Sequence, residues 1–168
     1  MIALEPVKEF LANSVYLPGY MSLRGEEYSK NRGTFGFDFR EPPVARGSII
    51  HYVTPRGLHI AISQAGYALA ENLAKEGLIG EYSSQVLRSI LLQGRVKIIE
   101  LDQRFRREIE LGREVQGRFE IRRSRLSRRI PLLLEMFFEF DNRAVTGRVV
   151  SVIAPKPVTS LNKEVTRF

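Results

Sequence analysis

The stretch Thr54-Pro55-Arg56-Gly57-Leu58-His59-Ile60-Ala61-Ile62-Ser63-Gln64-Ala65-Gly66-Tyr67-Ala68-Leu69-Ala70-Glu71-Asn72-Leu73-Ala74-Lys75-Glu76-Gly77 decides the fold of this chain. Thr54 can cap the free N–H groups of a helix start, and Pro55 suits the first turn. Leu58, Ile62, Ala65, Leu69 and Leu73 recur at helical spacing and form one apolar stripe. Ile60, Ala61, Gly66, Ala68 and Ala70 leave much of the remaining surface small or apolar too. A helix so poor in charge must be covered by other structure on most sides. Charge returns at Glu71, Lys75 and Glu76, which read as the exposed end, and Gly77 closes the helix.

Downstream, 84–92 reads as a second, shorter helix with Val86, Leu87, Ile90 and Leu91 turned inward. After Gly94 the pattern is extended over 95–107, 113–124, 130–141 and 144–154. Leu111-Gly112 and Asp141-Asn142 supply turn chemistry, and such short connections predict an antiparallel four-stranded meander. Upstream, Phe35, Phe37 and Phe39 alternate with Gly36 and Asp38, the period of a strand over 34–39. Pro42 and Pro43 end it, and a short extended piece over 48–53 leads into the helix. Phe10, Leu11, Val15, Tyr16 and Leu17, then Pro18 and Gly19, read as a short helix and an irregular arm. The expected organisation is an arm over 1–32, one α+β domain over 33–155, and a loosely held tail over 156–168. Within the domain, an antiparallel sheet curls round the central helix.

Composition narrows the chemistry. A chain of 168 residues can bury a core within one domain. It has no cysteine, which excludes disulfides, thiolate nucleophiles and Cys-ligated metals. With His51 and His59 as the only histidines, no metal site and no cofactor are expected. Glu5 and Glu9 stand where a secretory signal would be uncharged. No apolar run reaches the roughly 20 residues of a membrane helix, so a cytoplasmic protein is expected. The net charge is +7, with arginines concentrated at Arg104, Arg106, Arg107, Arg118, Arg122, Arg123, Arg125, Arg128 and Arg129. No aromatic interrupts 122–129 and no nucleic-acid-binding signature accompanies it, so nucleic acid is not the expected partner. A solvated face and a surface for an anionic ligand or carrier protein both remain open.

His51-Tyr52-Val53-Thr54-Pro55-Arg56-Gly57-Leu58-His59-Ile60, followed by Ser63-Gln64-Ala65-Gly66, resembles the start of the central helix in 3-hydroxyacyl-carrier-protein dehydratases. His51 matches their catalytic histidine, while their acidic partner has no counterpart among Ala61, Ile62, Ser63 and Ala65. More of the chain is similar to the FcoT-type long-chain fatty acyl-CoA thioesterases. The similarity lies in the N-terminal aromatic arm, Ala74-Lys75-Glu76-Gly77-Leu78, the inserted second helix, Phe105-Arg106-Arg107 and Gly117. Both are hotdog families. The resemblance implies a single hotdog domain, an acyl thioester carried on CoA or an acyl-carrier protein, and a homodimer or higher oligomer. Ser63 stands where the FcoT type has an asparagine. A dehydratase-like enzyme and a non-catalytic acyl-CoA or acyl-carrier binding protein therefore stay beside the hydrolase.

Thioester chemistry needs donors for the carbonyl oxygen, a base and a slot for the acyl chain. The Gly57 and Leu58 N–H groups at the helix start are the candidate donors, where the dipole favours negative charge. His51 and His59 are the candidate bases, since an imidazole titrates near neutrality. His59, Ser63 and Tyr67, spaced four apart, form a polar stripe on an otherwise apolar helix. Ser63 and Gln64 join the catalytic candidates. No Gly-x-Ser-x-Gly elbow surrounds Ser63, so water rather than serine is the expected nucleophile. Tyr16, Tyr20, Arg56, Tyr67, Arg106, Arg122 and Arg123 are the candidate substrate contacts.

Overall fold

The computed structural model describes residues 6–16, 20, 22–39, 52–80, 82–127 and 130–154, with the backbone alone for 123–127, 130 and 131. The central helix, α2 (Pro55–Lys75), lies where its caps place it. Thr54 Oγ1 accepts from the Gly57 N–H at 3.2 Å. At the far end Gly77 has φ +69°. The Gly77 and Leu78 N–H groups donate to the Ala74 and Leu73 carbonyls at 3.1 and 2.9 Å, closing the last turn. Helix α3 (Ser84–Leu92) starts from Ser83, whose Oγ accepts from the Val86 N–H. Its Leu87 and Ile90 are buried as expected, but Val86 is exposed. Arg88 takes the inward position instead, one turn beyond Ser84 on the buried face. Ahead of the sheet, α1 (Val7–Phe10) runs into a π-helical turn over Leu11–Val15, and together they bury Val7, Phe10 and Leu11.

Six strands form one antiparallel sheet: β1 (Leu23–Ser29), β2 (Arg32–Asp38), β3 (Val96–Phe105), β4 (Glu114–Ser127), β5 (Ile130–Phe140) and β6 (Val145–Ile153). Their order is β1-β2-β4-β5-β6-β3. Two expectations need correction. Residues 23–29, assigned to the arm, are a strand paired with β2 from Leu23↔Phe37 to Ser29↔Arg32. And β3 is not beside β4 but pairs with β6 at the far edge. The other side of β4 is taken by β2, so the connection after β3 crosses to the middle of the sheet. Buried Ile109 anchors that crossing, its carbonyl accepting from the Val53 N–H at 2.8 Å just ahead of α2.

Alternation along the strands sends one set of side chains against α2 and the other outward. Phe35, Phe37, Phe119, Phe138 and Phe140 meet on the inner face with ring centroids 5.3 to 6.4 Å apart. A ring of this size buried from water contributes about 1.5–3 kcal/mol. Gly117 makes room for the cluster, since a Cβ there would lie 2.8, 2.9 and 3.0 Å from Phe119, Phe37 and Phe140. Residues 48–51 of the extended piece expected over 48–53, and the tail over 156–168, lie outside the described residues.

Candidate active site

Helix α2 starts in a crowded corner. Tyr52 bridges to Glu110, and the Val53 N–H meets the Ile109 carbonyl, so the connection from β3 to β4 packs against the helix start. Gly57 and Leu58, expected to offer free donors, do not. The Gly57 N–H donates to Thr54 Oγ1, and the Leu58 N–H donates to the Thr54 carbonyl at 3.0 Å. A capped helix consumes its third and fourth N–H groups in this way. Pro55 has no N–H, so Arg56 supplies the end donor. Its guanidinium donates to the Tyr20 hydroxyl at 3.3 Å and lies 5.7 Å from the centre of that ring.

From this end the polar stripe descends. His59 is exposed, and its imidazole makes no hydrogen bond among the described residues. Ser63 is half-buried and donates to the His59 carbonyl at 3.0 Å, which occupies its proton in the helix rather than on a base. Tyr67 is half-buried, and burial holds its phenol above the ordinary tyrosine value. Tyr16 from the N-terminal segment is raised first by burial and then by the Tyr67 phenol beside it.

Ser63 and Tyr67 open on a slot of about 50 Å³ between α2 and the inner face of the sheet. Ile62, Gly66 and Ala70 continue its helical wall, and Ile98, Ile121, Met136 and Val149 supply the facing wall from four strands. Gly66 keeps the slot open. A Cβ at that position would stand 3.3 Å from the Met136 Cε. Leu69 is fully buried elsewhere on α2 and does not line the slot.

The remaining candidates fall in three places. Gln64 is fully buried and acts as a clip. Its Oε1 accepts from the Ser22 N–H, the Ser22 hydroxyl and the Leu23 N–H at 3.0 to 3.1 Å, while Nε2 donates to the Tyr20 carbonyl at 2.8 Å. That clip fixes the start of β1 on α2 and brings Tyr20 to Arg56. Arg106 is exposed in the connection that packs against the helix start, its N–H bonded to the Ala144 carbonyl. Arg122 lies across the sheet from the slot, because its neighbour Ile121 faces inward. It pairs with Glu120 at 2.9 Å, and its guanidinium lies 4.2 Å from the centre of the Phe137 ring. The side chain of Arg123 and all of His51 lie outside the described residues.

One group escaped the sequence pattern. Glu71, expected at the solvated end of α2, is buried and held by Arg88 through two hydrogen bonds of 2.7 and 2.9 Å, with Lys75 3.1 Å away. Arg88 in turn lies 4.6 Å from the centre of the Phe10 ring. Its place in an amphipathic helix, on the face shared with Leu87 and Leu91, was the available signal.

No protein-family model matches this chain, and no curated protein sequence matches it significantly. Solved structures do. A hypothetical thioesterase of Streptococcus pneumoniae TIGR4, crystallised with coenzyme A, aligns over 88% of this chain and 94% of its own at 8% identity and TM-score 0.50. A phenylacetic acid degradation-related protein of Ralstonia eutropha JMP134, described as a thioesterase, aligns over 89% of this chain and 100% of its own at 12% identity and TM-score 0.50. The fold is hotdog-type. A sigma28-regulated virulence protein of Campylobacter jejuni shares it at 12% identity and TM-score 0.51, over 89% of this chain and 97% of its own. These likenesses extend to the fold. No helix of the described hotdog domain is long and apolar enough to cross a membrane.

Proposed function

We propose that this hotdog domain hydrolyses fatty acyl-CoA thioesters, in the manner of the FcoT type, by direct attack of water. The observation that carries the proposal is a polar stripe leading from the exposed start of α2 into an apolar slot, with Ser63 and Tyr67 in the slot's lining. The thioester carbonyl would lie at the helix start, where the Arg56 N–H and the helix dipole favour negative charge on its oxygen. His59, exposed one turn before Ser63 and without a hydrogen bond among the described residues, takes a proton from water as its oxygen adds to the carbonyl carbon. The tetrahedral intermediate then collapses, the C–S bond breaks, and the thiolate leaves with the proton returned by the imidazolium. Ser63 holds the stripe's backbone, and Gln64 positions Tyr20 beside Arg56. Arg56 and Arg106, which make no ion pair among the described residues, are the cations placed to meet CoA phosphates.

The dehydratase-like alternative lacks its acid. Glu71 is the carboxylate of α2 that turns inward, and Arg88 and Lys75 already hold it. A non-catalytic acyl-CoA or acyl-carrier binding protein is the second reading, favoured by Ser63 donating to a carbonyl rather than to a base. The test is hydrolysis of a panel of acyl-CoAs by wild type, His59→Ala and His51→Ala. His59→Ala should lose about two to four powers of ten in rate, with folding intact. Binding without turnover by the wild type would establish the binding protein. A loss confined to His51→Ala would move the base to that residue. CoA affinity should fall with salt and with Arg106→Ala, and stay unchanged in Arg122→Ala.

A further inference from the structure

The slot does not end at Tyr67. A second cavity of about 20 Å³ lies beyond it, and both are lined by Tyr67, Ala70, Val96 and Ile153. Val7, Leu11, Leu87 and Leu91 make this inner chamber apolar, and its floor is the Glu71–Arg88 pair. By the rise of an α-helix, about 6 Å separates Ser63 from Tyr67 and about 6 Å more separates Tyr67 from Glu71. The Tyr67 ring therefore stands midway along a continuous apolar path down one side of α2. Its hydroxyl makes no hydrogen bond among the described residues, so packing alone holds the ring in place.

We infer that Tyr67 is a wall that sets the length of the chain this protein accepts, and that removing the ring joins the two chambers into one channel for a longer unbranched acyl chain. The inference rests on the slot being the acyl site. A chain that enters beside Ser63 meets the Tyr67 ring with its terminal carbons. Beyond the ring the surroundings are still apolar, so each further methylene would gain by leaving water. The gain stops at Glu71 and Arg88, whose mutual bonds leave nothing for a methyl end to displace. The inner chamber thus has a defined depth, and the channel has a defined limit.

Two parallel measurements test this on the full chain. One is kcat/KM for saturated acyl-CoAs from butanoyl to palmitoyl. The other is calorimetric binding of the matching S-alkyl-CoA thioethers, which cannot be hydrolysed. Tyr67→Ala should move both optima several carbons longer, with affinity rising about fourfold per added methylene until the chamber is full. Tyr67→Phe, which keeps the ring, should leave the wild-type preference in place. Tyr67→Leu, a good helix former, serves if the alanine variant fails to fold, and should shift the optimum in the same direction by less. An unchanged length preference in a folded Tyr67→Ala or Tyr67→Leu protein overturns the inference, as does a shift in Tyr67→Phe equal to that in Tyr67→Ala. If no protein hydrolyses any thioester while the thioether optimum still moves, the hydrolase reading falls and the wall stands. If hydrolysis is robust but its length profile ignores Tyr67, the wall falls and the hydrolase stands.

Discussion

Along β4, Phe119 and Ile121 press against the core while Arg118, Glu120 and Arg122, alternating with them, face outward, and β5 repeats the alternation with Met136 and Phe138 against Glu135 and Glu139. The inner face is packed and apolar and lines the slot. On the outer face, acids are shared between arginines. Glu120 lies 2.9 Å from both Arg32 and Arg122, Glu139 lies between Arg118 and Arg143, and Arg148 bridges Glu135 and Glu100. The strands thus carry their ion pairs in water, whereas the buried pair, Glu71 with Arg88, joins α2 to α3 on the other side of the sheet. The difference teaches where the net charge of +7 can act. Most arginines of the outer face are already answered by carboxylates. Arg56 at the start of α2 and Arg106 in the connection beside it make no ion pair among the described residues.

The sharpest break in this comparison is the buried pair. Glu71 and Arg88 have side chains only 4% and 9% exposed, so neither charge can return to water when its partner is lost. Glu71→Ala should cost about 3–5 kcal/mol of unfolding free energy, read as a lowered urea midpoint. Arg88→Met added to it should restore part of that loss by removing a buried guanidinium. A cost below about 1 kcal/mol would class the pair with the surface ones.

How far the sequence foretold these differences varies by element. Helix α2 was legible because cap, proline, apolar spacing and closing glycine agree, each fixing the helix locally. β1 was not. Leu23-Arg24-Gly25-Glu26-Glu27-Tyr28-Ser29 buries only Leu23 fully, since an edge strand with solvent on most positions needs no alternation. Lys30-Asn31, the two-residue turn that joins it to β2, with Lys30 at φ +53°, was the overlooked signal. The passage of β3 to the far edge was illegible for a different reason. Nothing local to residues 106–113 reveals that β2 already occupies the side of β4 they would need. In the site, the His59–Ser63–Tyr67 stripe followed from helical spacing alone, whereas the roles of Gln64 and Glu71 depend on partners 41 and 17 residues away.

The two edges of the sheet differ as the faces do, and this yields the next prediction. β1 is seven residues long and carries Arg24, Glu26 and Glu27. β3 is ten residues long, exposes Ile99 and Phe105 among the charged Lys97, Glu100, Asp102 and Arg104, and leaves the Gln103 Oε1 buried without a partner among the described residues. Charge protects a free edge, and apolar exposure invites pairing. A homodimer joined along β3 is therefore expected, with light scattering giving twice the 19.2 kDa chain mass. Phe105→Glu should return the monomer, and Glu27→Leu should leave the dimer unchanged. A wild type that stays monomeric at micromolar concentration would refute the pairing.

A smaller effect should separate the turn after β5 from both faces. Asp141 accepts from Arg113 at 2.7 Å and lies 3.0 Å from Arg107. These contacts, the Arg113 hydrogen bond foremost, hold its carboxyl below the ordinary aspartate value. A depressed folded value means that its contribution is complete above the unfolded value of about 3.9 and fades as pH falls through the folded one. Asp141→Asn keeps the left-handed backbone of that position, φ +47°, because asparagine adopts it readily. The variant should be less stable than wild type at neutral pH, and the gap should close below about pH 4. Urea midpoints across that range decide it. A gap independent of pH would assign the loss to the amide and not to the charge.

The smallest effect belongs to the outer face, and it tests whether the ladder there matters to the fold at all. Arg118 lies 3.3 Å from Glu139 with its side chain 71% exposed, and Arg143 stands 3.8 Å from the same carboxylate. Removing Arg118 leaves Glu139 with a second cation and with water. Holding a long side chain in one geometry has already cost much of what the pair gains in high dielectric. Arg118→Ala should therefore change stability by less than about 0.5 kcal/mol and the melting midpoint by less than about 2 °C. Salt should shift wild type and variant alike, since what remains of the pair is screened. A loss of about 2 kcal/mol or more would mean that the outer arginines act as a cooperative network, beyond the range of an exposed pair. The contrast between the two faces would then lie in what their residues contact and no longer in how much those contacts stabilise the fold.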